Sequence, residues 1–437
     1  MKRRVGITGM GLVTPLGHDV EEVWTHLLAG RCAPSPTSIF DASRFPTSFS
    51  SEVKGFTLAS FLGEKAADHA NASRSTAFAL GAAAQAWTHA GLDQDLALDA
   101  TRVGVYLGGG EGPLDFEPFA EAAIAGCRDE SGNSLPLDTV RWAKRAMDIL
   151  RADHELEQEH NCAGGHLAVE FGAQGPNINT ITACAASTQA IGEAFHIIRY
   201  GDADLMISGG THSMIHPLGV TGFNRLTALS TRNDSPATAS RPFDRTRDGF
   251  VLGEGAGILV LEEVEHAKAR GAKILAEIVG YGSTADAFRI TDIHEDGRGG
   301  IAAMRVALES AGLTTTDIDY ISAHGTSTEE NDKIETLAIR TLFANRAKQI
   351  PISSIKSMLG HLIAAAGAVE LITCVLAIRD GIVPPTANYE TPDPNCDLDY
   401  VPNAARKVPV RTALSNSFGF GGQNDTLIVR AYKECDP

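Results

Sequence analysis

Short apolar strands punctuated by glycine alternate with helix-forming segments along this chain, and the alternation begins twice. VGITGMG, VGVYLGGG, NINTITAC, DADLMISGG and GILVLEE form a first series, with helices near 20–29, at about 74–91 and after NINTITAC. The pattern restarts at ILAEIVGYG and runs through a helix at 299–311, DYISAHGTS, PISSIK and a long apolar helix. Strands interleaved with helices specify an α/β fold, here two α/β halves joined near residues 265–272. The 437 residues suit two or three domains or one large α/β unit. Residues 112–163 interrupt the alternation with the charged stretch WAKRAMDILRADHELEQEH and read as a helical insertion or cap.

Charged residues at 21% and hydrophobic ones at 43% fit a globular protein rather than a disordered chain. A net charge of -17 argues against nonspecific nucleic-acid binding, which needs a basic footprint. The most apolar stretch, MLGHLIAAAGAVELITCVLAI at 358–378, contains His361 and Glu370, so it reads as a buried helix and not a membrane span. At the basic N-terminus, the apolar run of MKRRVGITGMGLVTPLG is too short and too broken for a signal peptide or an anchor. Seven scattered cysteines (Cys32, Cys127, Cys162, Cys184, Cys374, Cys396 and Cys435) are odd in number and suit reduced thiols in a cytoplasmic setting.

Three motifs carry less than their spelling suggests. GMGLVT starts like a dinucleotide fingerprint, but Thr14 stands at its third glycine and no acidic residue ends a second strand, so a tight turn after the first strand is the better reading. Cys162 with His166, and His212 with His216, could each set two ligands on one helical face. Neither pair has an evident third or fourth ligand, which favours structural roles over metal.

ITACAASTQAIGEAF at 181–195 sets Cys184 between strand formers and a segment whose apolar residues Ala186, Ala190, Ile191, Ala194, Phe195 and Ile198 recur at helical steps before Gly201. The spacing predicts a helix beginning at or just after Cys184. A thiol there faces the positive end of the macrodipole, which is expected to lower its pKa by about one unit or more. The strand, sharp turn and helix share the mechanics of a nucleophile elbow, and a small buried core thiol is the competing reading. In the second half His324 follows an apolar run in the loop of DYISAHGTST, and His361 opens the long apolar helix with Lys356 just upstream. NSFGFGGQND at 416–425 reads as a flexible loop whose backbone N–H groups can approach a substrate oxygen.

TACAAS, PLGVTGFNRLTALSTRND, SRPFDRTRDGFVLGEGAGILVLEE, AHGTST, KSMLGH, AAGAVE, VPPT, CDLDYVPN and LSNSFGFGG follow one another over most of the chain. In order and spacing the set resembles the β-ketoacyl-[acyl-carrier-protein] synthases, most closely the elongating synthase II enzymes of the thiolase superfamily. The resemblance implies a thiolase-like five-layer α-β-α-β-α fold made of two similar halves: 1–268, with the nucleophilic cysteine, and 269–437, with two catalytic histidines. It implies a homodimer that partners an acyl carrier protein and takes acyl and malonyl thioesters. No metal or other cofactor is implied, the phosphopantetheine being carried by the substrate. Cys184 would hold the acyl chain, with the N–H groups of Cys184 and Phe418 as oxyanion hole, and His324 and His361 would stabilise the enolate left by decarboxylation. Lys356 and Glu370 would pair beneath the histidines; an unpaired charge in so apolar a helix would be costly in any case. Thr326 and Thr328 match residues that bind the pantetheine arm, or else are turn hydroxyls. Phe418 would gate the cysteine, Gly419 and Phe420 would line the substrate path, and Phe223 would wall the acyl channel or merely pack.

The chain departs from the family pattern at four places. The 112–163 segment is longer than expected, GEKAADHANAS at 63–73 lacks the carrier-docking basic cluster and leaves only Lys65 and Arg74 around it, Ile355 replaces a threonine, and Glu329 stands where proline is common. Docking then shifts to Arg141, Lys144, Arg145 and Arg151, or that run is a solvated helix face. These departures make a specialised ketosynthase of a polyketide, aryl-polyene or unusual-lipid pathway the alternative to type II fatty acid elongation. A catalytically silent chain-length partner would have lost the cysteine, a thiolase would carry a second cysteine in the last glycine-rich stretch, and a cysteine hydrolase would not call for two such histidines.

Overall fold

A computed structural model describes residues 2–94, 98–112, 114–129, 131–291 and 293–434; Cys435 lies outside them, and the other six cysteines are free thiols. The apolar segment VGITGMGLV forms β1 (Val5–Val13), buried along its whole length. Its glycines are not in a turn. A Cβ on Gly9 or Gly11 would fall 2.0 Å or 1.9 Å from the carbonyl oxygens of Ala86 and Ala82, so the GMG spelling records a helix lying directly on the strand backbone.

The first half continues with β2 (Val103–Gly108), β3 (Asn177–Thr180), β4 (Leu205–His212) and β5 (Gly255–Glu263), which stand in the order β3-β2-β4-β5-β1. The second half has β6 (Ala276–Ala285), β7 (Tyr320–Ser322), β8 (Ile352–Ser353), β9 (Thr412–Gly419) and β10 (Gln423–Arg430), in the order β8-β7-β9-β10-β6. Each half thus sets its third, second, fourth, fifth and first strand side by side, with the fifth antiparallel to both neighbours. The two first strands meet antiparallel, Val5 opposite Ile278 and Ile7 opposite Ala276. The same topology is therefore built twice about the β1–β6 seam.

Helices fill the spaces around this ten-stranded sheet. α1 (Arg74–His89) starts at Ser73, whose hydroxyl accepts the Thr76 N–H, and covers the outer face of the first half. The 112–163 segment does fold helically, as α2 (Phe116–Gly126) packed on α3 (Thr139–Ile149), before α4 (Cys162–Phe171) joins α1. α5 (Ala186–Tyr200) then passes between the two halves of this ten-stranded sheet, touching β2 and β4 on one side and β6 and β10 on the other. After α6 (Pro217–Arg225), α7 (Arg298–Ala311) and α8 (Glu329–Phe343) form the outer layer of the second half. α9 (Ala366–Asp380) lies beside α5, is buried from Ala366 to Ala377, and contacts strands of both halves. The layers run α-β-α-β-α. One apolar core spans both halves, joining Val5, Ile191 and Leu259 to Tyr320, Leu371 and Leu427.

Three local expectations change. The stretch 358–378 is not one helix: Lys356–Leu359 form a short helix, Gly360 turns at φ +73°, and α9 starts only at Ala366. His361 therefore sits in a connection. NSFGFGGQND is a hairpin, β9 to Gly419 and β10 from Gln423, with its freedom confined to Gly421 and Gly422 at φ +90° and +77°. Helix α8 stands between DYISAHGTS and PISSIK, where local periodicity predicts no helix.

Candidate active site

Two matching junctions bring the reactive side chains together. After β3, Ala183 takes φ +47° and Ala183–Ala185 make one 3-10 turn into α5, so Cys184 sits on a bend that a non-glycine residue adopts at a cost of about 1–3 kcal/mol. In the second half Ile363 takes φ +45° and Ile363–Ala365 make the equivalent turn into α9. The two turns touch. His361 precedes the second turn and His324 follows β7, and the Cys184 Sγ and one nitrogen of each ring all lie within 4.8 Å of one another. The rings are edge to face, centroids 5.4 Å apart at 81°.

Hydrogen bonds assign the tautomers. The Ile363 N–H donates to His361 Nδ1 at 3.1 Å, which leaves the proton of a neutral ring on Nε2, an atom that is buried and has no partner among the described residues. Lys356 Nζ donates to the His324 carbonyl at 2.7 Å, to the Glu370 carboxylate, and toward His324 Nδ1 at 3.3 Å. His324 is thereby also held as an Nε2–H donor. Burial, then the Lys356 charge, drives both imidazoles well below their ordinary pKa, so they stay neutral. Burial pushes Glu370 up against the opposing pull of Lys356. Although the sulfur and two nitrogens are close enough to share a metal ion, both Nδ1 lone pairs are engaged and both Nε2 atoms carry hydrogen. An N–H donor offers a cation nothing, and the set fits a developing negative charge better.

A cavity of about 400 Å³ opens over these groups, lined by Cys184, both histidines, Phe250, Phe418 and Phe420 among others. Thr326 and Thr328 line it too and hydrogen-bond each other at 2.9 Å. An outer groove shares Thr328 and Phe420 with it.

Sequence models of the β-ketoacyl synthase N-terminal and C-terminal domains match residues 2–267 and 275–390. The chain belongs to the β-ketoacyl synthase family. Proteins named 3-oxoacyl-[acyl-carrier-protein] synthase 2 from Coxiella burnetii and Synechocystis are 43% and 45% identical to this synthase, over 98% and 99% of both chains. A β-ketoacyl synthase structure from Burkholderia phymatum superposes with a TM-score of 0.87 at 35% identity, covering 99% of this chain and 100% of the other. A type II polyketide ketosynthase bound to a hexaketide, solved with its acyl-carrier protein, gives 0.86 at 36% identity with the same coverage. Like its relatives, this synthase is an acyltransferase-type condensing enzyme that needs no cofactor of its own.

Several side chains of the synthase stand differently from expectation. The Cys184 thiol is not lowered by its helix: burial pushes it up to about 12, against the pull of Lys356 and of the Phe420 N–H. The backbone N–H that pulls on the sulfur belongs to Phe420, two residues beyond the Phe418 expected to contribute to the oxyanion hole. The Phe418 ring is buried, edge-on to His324 at 5.8 Å and against Gly300, whereas Phe420 is 36% exposed at the cavity mouth. Gly419 lies flat against the Cys184 backbone, where a Cβ would come 3.3 Å from its nitrogen. Phe223 shares an apolar cluster with Cys184 but is set back behind Phe250, rings 5.5 Å apart. Arg74 holds Glu254 and the Val53 carbonyl, Lys65 pairs with Glu170, and Arg141, Arg145 and Arg151 pair with Asp138, Glu121 and Asp153. His166 bonds Glu157 at 2.9 Å and His69 at 2.8 Å, and Cys162 bonds the Leu156 carbonyl, so that pair shares no ligand site.

Sequence reasoning passed over Glu335 on α8. Its buried carboxylate accepts the backbone N–H groups of His324 and Gly325 at 2.9 and 2.8 Å and fixes the loop that carries the ring. The available signal was an acid among Ile334, Ala338 and Ile339 on a face that is buried.

Proposed function

We propose that this synthase performs a decarboxylative Claisen condensation, extending an acyl-carrier thioester by two carbons in the manner of type II fatty acid elongation. Cys184 sulfur attacks the acyl thioester carbonyl, the oxyanion resting on the N–H groups of Cys184 and Phe420, and the departing carrier thiolate takes the thiol proton. The malonyl thioester oxygen then accepts the Nε2–H groups of His324 and His361. The bond to the malonyl carboxylate breaks, carbon dioxide leaves, and the electron pair becomes an enolate held by the two rings. Its carbon attacks the acyl-Cys184 carbonyl, the sulfur leaves, and one proton from solvent restores the thiol. Lys356, Glu370 and Glu335 position His324, and Thr326 and Thr328 line the route for the pantetheine arm, with Phe420 at its mouth.

The observation that carries this reading is the unpartnered Nε2–H of His361 beside the Cys184 sulfur, a donor fixed by the Ile363 N–H and aimed at a place where charge develops. Cys184→Ala should abolish condensation while leaving malonyl-carrier decarboxylation measurable; loss of both, in a folded variant, contradicts the assignment. His361→Ala should accumulate acyl-Cys184 by intact mass without elongation.

The same reading includes a division into 1–268 and 269–437, a cytoplasmic setting suited to free thiols and the charge of -17, and a homodimer. For the dimer the supporting feature is the edge strand β3 with Ile178 exposed on it, beside exposed Ile181 and Val169. A specialised ketosynthase is the second reading, favoured by the likeness to a polyketide enzyme and by the polar cavity described next.

A further inference from the structure

Next to the apolar cluster that contains Cys184 lies polar space that shares no lining residue with the cavity over the histidines. Ile215 belongs to that cluster and also lines a second cavity, of about 330 Å³, with Ser73, Ser213, His216, His154 and Glu157. A smaller recess next to it shares Ser73, Ser213 and Glu157 and adds His212 and Glu111. His212 is 2% exposed and its Nε2 has no hydrogen-bond partner among the described residues. Burial holds His212 down at about 4, so it is a neutral hydrogen-bonding group and not a cation. An orphaned buried polar atom of this kind is costly unless a ligand satisfies it.

Given the condensing reading above, on which this inference rests, we infer that the synthase selects acyl chains that bear a hydroxyl group far from the thioester, which the polar recess at His212 receives. A plain alkyl chain reaching this space would leave His212 unsatisfied and would dehydrate Glu157 and the serines for nothing in return. A carboxylate at the chain end would meet Glu111, Glu157 and Asp115, while Arg74 on the same wall is engaged by Glu254. A neutral O–H brings no charge to these carboxylates and can either donate to or accept from the His212 Nε2.

The test offers pantetheine thioesters of medium-chain acids that differ only in a terminal hydroxyl and reads the rate of Cys184 acylation by intact mass. The hydroxylated chain should load roughly tenfold faster than its plain counterpart, the worth of one well-made hydrogen bond. His212→Leu should erase or reverse that ratio. Equal or faster loading of the plain chain by the natural enzyme overturns the inference, whether or not the variant folds. Acetyl loading does not reach the recess and reports on the condensing reading separately.

Discussion

At Cys184 two electrical influences oppose each other, and their sizes decide the outcome. A helix N-terminus offers a thiolate at most about 2 kcal/mol. The rise from 9.0 to about 12 corresponds to about 4 kcal/mol the other way, and burial is its largest cause. The resting residue is therefore a thiol that must lose its proton as the substrate carbonyl is attacked. Alkylation of Cys184 by iodoacetamide should keep accelerating up to about pH 10, with no plateau near the ordinary thiol value; a plateau between about pH 7 and 8 would mean a stabilised thiolate. The histidines behave in the opposite sense, since a lowered pKa keeps them neutral in more acid solution. Decarboxylation by Cys184→Ala should then hold its rate as pH falls from about 7.5 to about 6, which a group of ordinary pKa near 6.5 would not allow.

Among the elements, β1 shows how much of a motif's meaning depends on what packs against it. Gly11 is conformationally ordinary, yet α1 lies so close that any side chain would run into the Ala82 carbonyl. Gly11→Val should lower stability by about 1–3 kcal/mol or more in urea unfolding, because the obstacle is backbone and cannot rotate away. A loss below about 1 kcal/mol would show that α1 is free to shift. The helical period of α5 was legible from Ala186 to Ile198 because one face of it is uniformly apolar. The break before α9 was not, since Met358 to Ala377 are buried on every side and periodicity is silent where a segment is buried all round. The hairpin of β9 and β10 was misread as a loop for a related reason: its glycines mark close approach to Cys184 as much as flexibility.

For the molecule as a whole, the shared core sets the cooperative unit. α5 and α9 each contact strands of both halves, so either half alone would expose a face of its central helix. Fragments 1–268 and 269–437 expressed separately should aggregate, while the full chain unfolds in one transition by circular dichroism; a soluble, folded first fragment would contradict the shared core. By itself the sequence determined the α/β class, the doubled series of strands and helices, and which residue types carry the chemistry, because strand and helix periods are local and a cysteine or histidine is chemically distinct wherever it falls. Only the tertiary structure decided which N–H faces the sulfur, which ring lies exposed on the cavity wall, that α1 rides on glycine, and that the thiol is raised rather than lowered. Those depend on distances and burial between segments far apart in the chain, and no local pattern encodes them.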